Sequence, residues 1–403
     1  MIQVKHPVHR VLARVVDGFG ELVYRAGLRA GLWAATKRDP RELDPKRILI
    51  IEEEPVGDVI MSTALYCGLR RRFPKAHVTV MTGSWAAGVL VNNPHVDDVL
   101  IHDCPWAFAD PLFEGKSLLG HLRYLWRYPA FLRRLRAQCF DLAIDLRGDF
   151  RNILLLMALP GIDDRISFSR AGGDYLLTHA LSHERDRHEV ERNLDVLRAL
   201  GGDACDAALE VFPGPVEKKK LEDILHDARD ERLLCVIHPG SRLAVRIWPP
   251  ERYAELATML VRCFDADVVV TGAASEEGLC DEVLARMGAG RPRARSLAGR
   301  LTMLEMAALL KRADLVVCPD TSVMHLAAAC GAPTVALFGP GDPAHTGPYG
   351  GTARVIARDC PCRPLQTSCR RATGAHSACM ETIGTDEVCA AAEEILSARI
   401  QKR

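Results

Sequence analysis

From Arg47 onward, short runs of apolar residues alternate with longer stretches in which apolar positions recur every three or four residues. The segments "RILIIE", "HVTVMTG", "DDVLIHD" and "FDLAIDLRG" have the length and β-branched content of buried strands. "DVIMSTALYCGLRRRFP" has the spacing of an amphipathic helix. Around Pro213 to Pro215 the alternation breaks, and a polar helical stretch, "VEKKKLEDILHDARDE", follows. A second series then begins with "LLCVIHPG", "ADVVVTGA", "ADLVVCPD", "PTVALFGP" and "ARVIA", with "SEEGLCDEVLARM" and "TMLEMAALLKR" as helices among them. Strands that alternate with helices predict an α/β chain with parallel sheets covered by helices. Two similar halves predict a cleft between them. The boundaries read as 47–212 and 213–384 for two domains, 385–403 for a closing C-terminal helix and 1–46 for an N-terminal extension.

The extension has its own pattern. Val8, Val11, Leu12, Val15, Val16, Phe19, Leu22 and Val23 recur at helical spacing, and seven Lys/Arg lie between Lys5 and Arg38 against two acids. A basic amphipathic helix of this kind fits an anionic membrane surface and equally a helix packed on its own first domain. A second basic stretch, "KSLLGHLRYLWRYPAFLRRLR" from Lys116 to Arg136, holds six Lys/Arg and no acid, with Tyr124, Trp126, Tyr128 and Phe131 interleaved. It reads as a surface for phosphorylated glycolipid and anionic headgroups, or as a helix pair with an apolar inner face. No nucleic-acid motif accompanies it, so no nucleic-acid partner is expected.

Composition narrows the class. The chain has 403 residues, 48% of them apolar, and a formal charge of zero. It contains no apolar run of spanning length, and charges interrupt the N-terminal stretch where a signal peptide would be uniformly apolar. The expected location is cytoplasmic, peripheral on the inner face of the membrane, with thiols reduced. Of 14 cysteines, five fall in residues 360–389. Cys360, Cys362, Cys369 and Cys379, with His376, offer a structural metal site, but their spacing lacks the paired C-x2-C of most zinc sites. Free thiols are the alternative.

Candidate chemistry sits where strands hand over to helices. In open parallel sheets, ligands bind beyond the carboxyl ends of the strands. "DLVVC" ends at Pro319-Asp320, and Thr321 and Ser322 open the helix "SVMHLAAAC". A helix N-terminus offers free N–H groups to a phosphate, and the two hydroxyls add donors. Asp320 can accept from sugar hydroxyls, and His325 lies one turn further on. Asp320 as a simple N-cap is the plainer reading. In "VIHPGSRLAVRIWPPERYAELA", Ser241, Arg242 and Arg246 occupy a second such loop, where a guanidinium can neutralise a diphosphate. Glu276, after "ADVVVTGA", can accept from ribose hydroxyls or serve its own helix's first turn. No strand is followed by G-x-G-x-x-G, which argues against a dehydrogenase.

These motifs together resemble the heptosyltransferases of glycosyltransferase family 9. The resemblance rests on "HPGSRLAVRIWPPERYAEL", "LAGRLTMLEMAALLKRADLVVCPDTSVMHLAAACGAPTVALFGPGDPAHTGPYG" and "GDVIMSTALYCGLRRRFPKAHVTVMTG", and covers roughly residues 47–400. It implies a GT-B fold of two Rossmann-like domains. It also implies inverting transfer from a nucleotide-diphosphate sugar, typically ADP-heptose, to a lipopolysaccharide-type glycolipid acceptor, with no cofactor required and no catalytic metal. The family's basic carboxylate maps onto Asp58 in Gly57-Asp58. The residues alone make Asp58 a helix start; the resemblance makes it the base that takes the acceptor hydroxyl's proton. Arg147 and Arg151, in "IDLRGDFRN", are candidates to touch an anionic acceptor. Two departures stand out. Ser322 replaces a usual glycine, and Glu52, Glu53 and Glu54 are expected to crowd negative charge beside Asp58. That acidic run keeps a catalytically silent nucleotide-sugar binder in view, alongside an epimerase of the same fold.

Overall fold

The computed structural model describes residues 38–104, 106, 118–184, 186–205, 207–225, 232–360 and 377–401. The amphipathic extension before residue 38, and Cys362, Cys369 and His376, lie outside the described residues. The chain forms two compact units, Met1–Ala207 and Ala208–Arg403.

The first unit carries β1 (Arg47–Ile51), β2 (His77–Thr82), β3 (Asp98–Ile101), β4 (Leu142–Asp145), β5 (Asp164–Phe168) and β6 (His179–Leu181) in the order β3-β2-β1-β4-β5-β6. The second carries β7 (Leu234–Ile237), β8 (Asp267–Val270), β9 (Ala294–Ser296), β10 (Leu315–Pro319), β11 (Thr334–Phe338) and β12 (Ala353–Ala357) in the order β12-β11-β10-β7-β8-β9. Every pairing is parallel. Counted from its own first strand, each sheet has the doubly wound order 3-2-1-4-5-6, so the winding reverses between β1 and β4 and between β7 and β10. At such a reversal the loops leaving the two strands turn to opposite faces of the sheet, which is where open α/β sheets form their ligand crevice.

The central strands read as continuous apolar runs because both of their faces are covered: Ile48 through Ile51 and Leu315 through Cys318 have no exposed surface. The strands that the apolar pattern does not announce are β5, β6 and β9. β9 and β6 are three residues long at sheet edges, and β5 opens with Asp164-Arg165, so none presents a long apolar run.

Six helices matter for the sites. They are α1 (Val56–Met61), α2 (Thr63–Arg72), α3 (Leu118–Ala137), α4 (Glu189–Ala199), α5 (Pro250–Phe264) and α6 (Ser322–Ala329). The basic stretch forms α3 as one continuous helix with Pro129 inside it. Trp248, fully buried just before α5, stacks edge-on against Tyr253 and donates its indole N–H to the Ile383 carbonyl at 3.0 Å. The C-terminal helix Thr385–Ile400 buries Val388, Ala392, Ile395 and Leu396 in the same core as β7 and β10, so it is part of the second unit.

Candidate active site

In the first unit the loop after β1 carries the acidic run. These carboxylates are not spread over the surface. Glu52 is 2% exposed and accepts from the Ser62 hydroxyl at 2.8 Å, while Asn193 Nδ2 donates to that hydroxyl oxygen at 3.1 Å. Burial, and then the nearby Glu54 carboxylate, push Glu52 well above the usual carboxylate range, which favours its neutral form. Glu53 is fully buried; it contacts the His102 Nδ1 and accepts from the Cys104 thiol at 3.0 Å. Glu54 meets Arg147 Nε at 3.0 Å. Burial raises its pKa while Arg147 and Arg170 oppose the rise. Negative charge is crowded here as expected, with Glu54 and Asp58 both adding to the rise at Glu52, but the run is largely buried and paired. The run looks like solvated acid in the sequence because its partners lie 10 to 93 residues away.

Asp58 is the third residue of α1, half-buried, and its N–H bonds the Pro55 carbonyl at 2.9 Å. Pro55 is the N-cap, so Asp58 sits in the first helical turn, where the helix dipole favours a carboxylate.

The loop after β4 is fastened by Asp145, which is fully buried. It accepts from Gly148 N–H at 2.8 Å, Asn152 Nδ2 at 3.0 Å and the Ser167 hydroxyl at 2.7 Å. Burial outweighs these bonds and lifts its pKa to about 6. Gly148 takes φ +67°, and a methyl there would lie 2.7 Å from the Phe168 carbonyl oxygen. Arg147 and Arg151 leave this loop, each already facing an acid. Arg147 bridges Glu54 and, at 3.9 Å, Asp149; Arg151 grips both Asp149 oxygens at 2.8 and 2.6 Å and lies 5.5 Å from the Trp106 ring centre. An anionic acceptor at these arginines would exchange with protein carboxylates.

In the second unit the loops after β7 and β10 meet. Arg246 Nη1 lies 3.1 Å from both the Asp320 backbone oxygen and Oδ2. Asp320 is 4% exposed; burial raises its pKa and Arg246 opposes the rise. Its carboxylate rests on Gly341, where a Cβ would come within 2.1 Å of Oδ2. The N-cap of α6 is Thr321, with no side-chain cap bond, and Ser322 is its first residue, so Asp320 is not the cap. His325 is buried at 5% exposure, Ser241 is half-buried and Arg242 is exposed. Glu276 serves its own first turn by accepting from Ala273 N–H at 2.8 Å, and its carboxylate lies against Gly240, the residue before Ser241.

Sequence reasoning passed over two polar groups in these loops. One is the Glu53–His102–Cys104 cluster, whose members are 49 and 51 residues apart. The other is His238, which directly follows β7, contacts the Thr271 hydroxyl through Nδ1 at 3.1 Å, and is held at about pKa 4 by burial. A histidine directly after an apolar strand was the available signal for it. Of the C-terminal cysteines, Cys360 and Cys379 pack together as a small buried pair.

Two doubly wound parallel sheets, with polar loops at their switch points, make up the GT-B fold. Solved structures share that fold. A family 9 glycosyltransferase from Veillonella parvula superposes with a TM-score of 0.74 at 22% identity, covering 89% of this chain and 99% of that one. The E. coli ADP-heptose lps heptosyltransferase II superposes at 0.68 and 24%, covering 88% and 99%. The family model for glycosyltransferase family 9 (heptosyltransferase) matches residues 129–375, and the chain belongs to this family. Lipopolysaccharide heptosyltransferase 2 of Salmonella typhimurium is 29% identical over 321 residues, 77% of this chain and 87% of that protein. Lipopolysaccharide heptosyltransferase 1 of Pseudomonas aeruginosa is 29% identical over 332 residues, 80% and 87%.

Proposed function

We infer that this glycosyltransferase moves a heptose, with inversion, from ADP-heptose to a lipopolysaccharide-core or related glycolipid acceptor. The single observation that carries the donor side is the Arg246–Asp320 contact. It joins both loops of the second switch point beside the first turn of α6. Arg246, Arg242, Ser241 and the Thr321/Ser322 turn would receive the diphosphate, and Asp320 the donor sugar. Asp58 would take the proton of the acceptor hydroxyl as its oxygen attacks the anomeric carbon. The carbon–diphosphate bond breaks and the nucleoside diphosphate leaves with the electron pair, its charge met by the arginine and helix N–H groups. Arg147 and Arg151 would meet acceptor phosphate. The acidic run, once the feature favouring a silent binder, lies paired and mostly buried, and supplies no such argument. The names of the relatives support the sugar and acceptor classes.

The membrane side rests on α3. Tyr128 and Leu135 are buried, whereas Arg123, Arg127, Arg133, Arg134 and Arg136 are exposed and Trp126 is 82% exposed. Cations beside an exposed indole suit an anionic bilayer surface. Among the described residues no helix is long and apolar enough to cross a membrane.

Purified protein incubated with ADP-heptose and a heptose-acceptor glycolipid should release ADP. Asp58→Asn should lower kcat by about 10²-fold or more while leaving ADP binding in place. Asp58→Asn with unchanged kcat would remove the base assignment, and a donor panel in which ADP-heptose is inert would remove the sugar.

A further inference from the structure

Glu53, His102 and Cys104 bring a carboxylate oxygen, an imidazole nitrogen and a thiol sulfur within 4.8 Å of one another, all three residues buried. Glu53 follows β1, and the other two follow β3, so the cluster spans the carboxyl end of β2 between them. The geometry points to a metal site for a soft divalent cation, Zn²⁺ above all, at this cluster.

The donor set is the first reason. A thiolate and an imidazole select zinc-like ions over magnesium or calcium, which take oxygen ligands. The second is spacing. Ligand atoms about 2.0–2.3 Å from a tetrahedral ion lie about 3.4 Å from one another. The Cys104 Sγ to Glu53 Oε2 distance is 3.0 Å, so an ion enters with an opening of a few tenths of an ångström at that edge, while the closer His102–Glu53 contact must open further. The third is charge. A divalent cation with one thiolate and one carboxylate is neutral overall, as a site without solvent access requires. Coordination by sulfur requires the thiolate, so the Cys104 thiol proton leaves on binding. His102 Nδ1 gives its lone pair to the ion, and its N–H moves to Nε2.

An orienting partner for that N–H is in place. The Tyr124 hydroxyl lies 3.3 Å from His102 Nε2, and Phe131 stacks on the imidazole at 4.6 Å. Histidine ligands of metals carry such a bond on the other ring nitrogen. The fourth position falls to water or a main-chain oxygen. The ion would tie the β1 and β3 loops together just before Gly57-Asp58, so it fixes a loop and takes no part in the proposed proton transfer.

The test uses the full-length protein. Metal content as purified, and Co²⁺ titration after chelator treatment, should give one ion per chain, with a sulfur-to-cobalt absorption band and tetrahedral d–d bands. Cys104→Ser and Glu53→Gln should each abolish the band. Tyr124→Phe should weaken affinity about tenfold with circular dichroism unchanged. Replacing all four of Cys360, Cys362, Cys369 and Cys379 by serine should leave the band intact. Zinc added to the chelated wild type should raise its melting temperature. A chain that takes up no ion, or whose ion vanishes with the C-terminal cysteines and survives Cys104→Ser, overturns the site. If Cys104→Ser does not fold, the Tyr124→Phe affinity and the wild-type band decide.

Discussion

Gly341→Ala places a methyl group where the Asp320 carboxylate now lies. The added carbon would sit 2.1 Å from Oδ2 and 3.2 Å from a Phe338 ring carbon. Phe338 has no exposed surface and Asp320 only 4%, so neither side chain has open space to move into. The carboxylate must retreat by roughly 1 Å to regain van der Waals distance. That motion breaks its 3.1 Å contact with Arg246 and leaves the bond from Arg246 Nη1 to the Asp320 backbone oxygen. Overpacking of this size costs about 1–3 kcal/mol. Losing a buried ion pair costs up to about 3–5 kcal/mol, reduced here because the Arg246 side chain is 19% exposed. The combined loss should be about 2–4 kcal/mol.

For a unit of this size, each kcal/mol shifts the melting temperature by about 2–4 °C, so scanning calorimetry should show a drop of about 4–16 °C. Calorimetric titration with ADP should show affinity rising by a few-fold, because the displaced carboxylate no longer competes for Arg246. The matched control is Gly278→Ala. That glycine lies in the helix Glu277–Arg286, and an added Cβ there would meet nothing within 4 Å. Helix propensity then favours alanine by about 0.5–1 kcal/mol, and ADP affinity should stay the same. A Gly341→Ala protein that melts within about 1 °C of wild type and binds ADP equally well would refute the reasoning.

Other consequences follow from the same loops. Because His238 is held at about pKa 4 against an ordinary 6.5, its neutral form is favoured in the fold; its contribution is intact above pH 6.5 and is lost as pH falls towards 4. Relative to His238→Gln, the wild type should lose about 2 kcal/mol between pH 6.5 and 5, read from denaturant midpoints. Ser62→Ala removes the donor to Glu52 and the acceptor of Asn193, and should cost about 1–3 kcal/mol by chemical denaturation. Thr302→Ala deletes the hydroxyl that caps Met303–Arg312 through the Glu305 N–H at 3.3 Å, and should cost about 1 kcal/mol with donor affinity unchanged.

The chain's alternating pattern carried the architecture because strands covered on both faces must be apolar throughout, as Ile48 to Ile51 and Leu315 to Cys318 are. It missed β6 and β9 because a three-residue edge strand has almost no such face. Candidate positions were legible in the loops that leave strand ends, as with Asp320 and Arg246. Their partners were not, since pairing is a property of the fold. Glu276 shows the limit well: a carboxylate three residues into a turn has the same local sequence whether it binds a ligand or caps its own backbone, and here it caps Ala273. The acidic run shows it again, for Glu54 finds Arg147 only because β1 and β4 are neighbours in the sheet.

That last pair has a counterpart. In the first unit Glu54 follows β1 and Arg147 follows β4; in the second Arg246 follows β7 and Asp320 follows β10. Each ion pair therefore joins the two loops that flank a winding reversal, with donor and acceptor exchanged between the loops. The placement has a physical basis. Loops at a reversal diverge and leave a partly desolvated gap, where one unpaired charge would be costly and an opposed pair holds the gap to a fixed width. A ligand phosphate entering such a gap competes for the arginine, so the carboxylate sets how much binding free energy the anion must supply. Removing the charge at constant side-chain length makes this measurable. Asp320→Asn should free Arg246 from competition and tighten free ADP by a few-fold, yet lower turnover, because Asp320 is also the proposed partner of the donor sugar. If Asp320→Asn weakens ADP and leaves turnover unchanged, the carboxylate organises the arginine instead of competing for it, and the gap-width argument fails for the second unit.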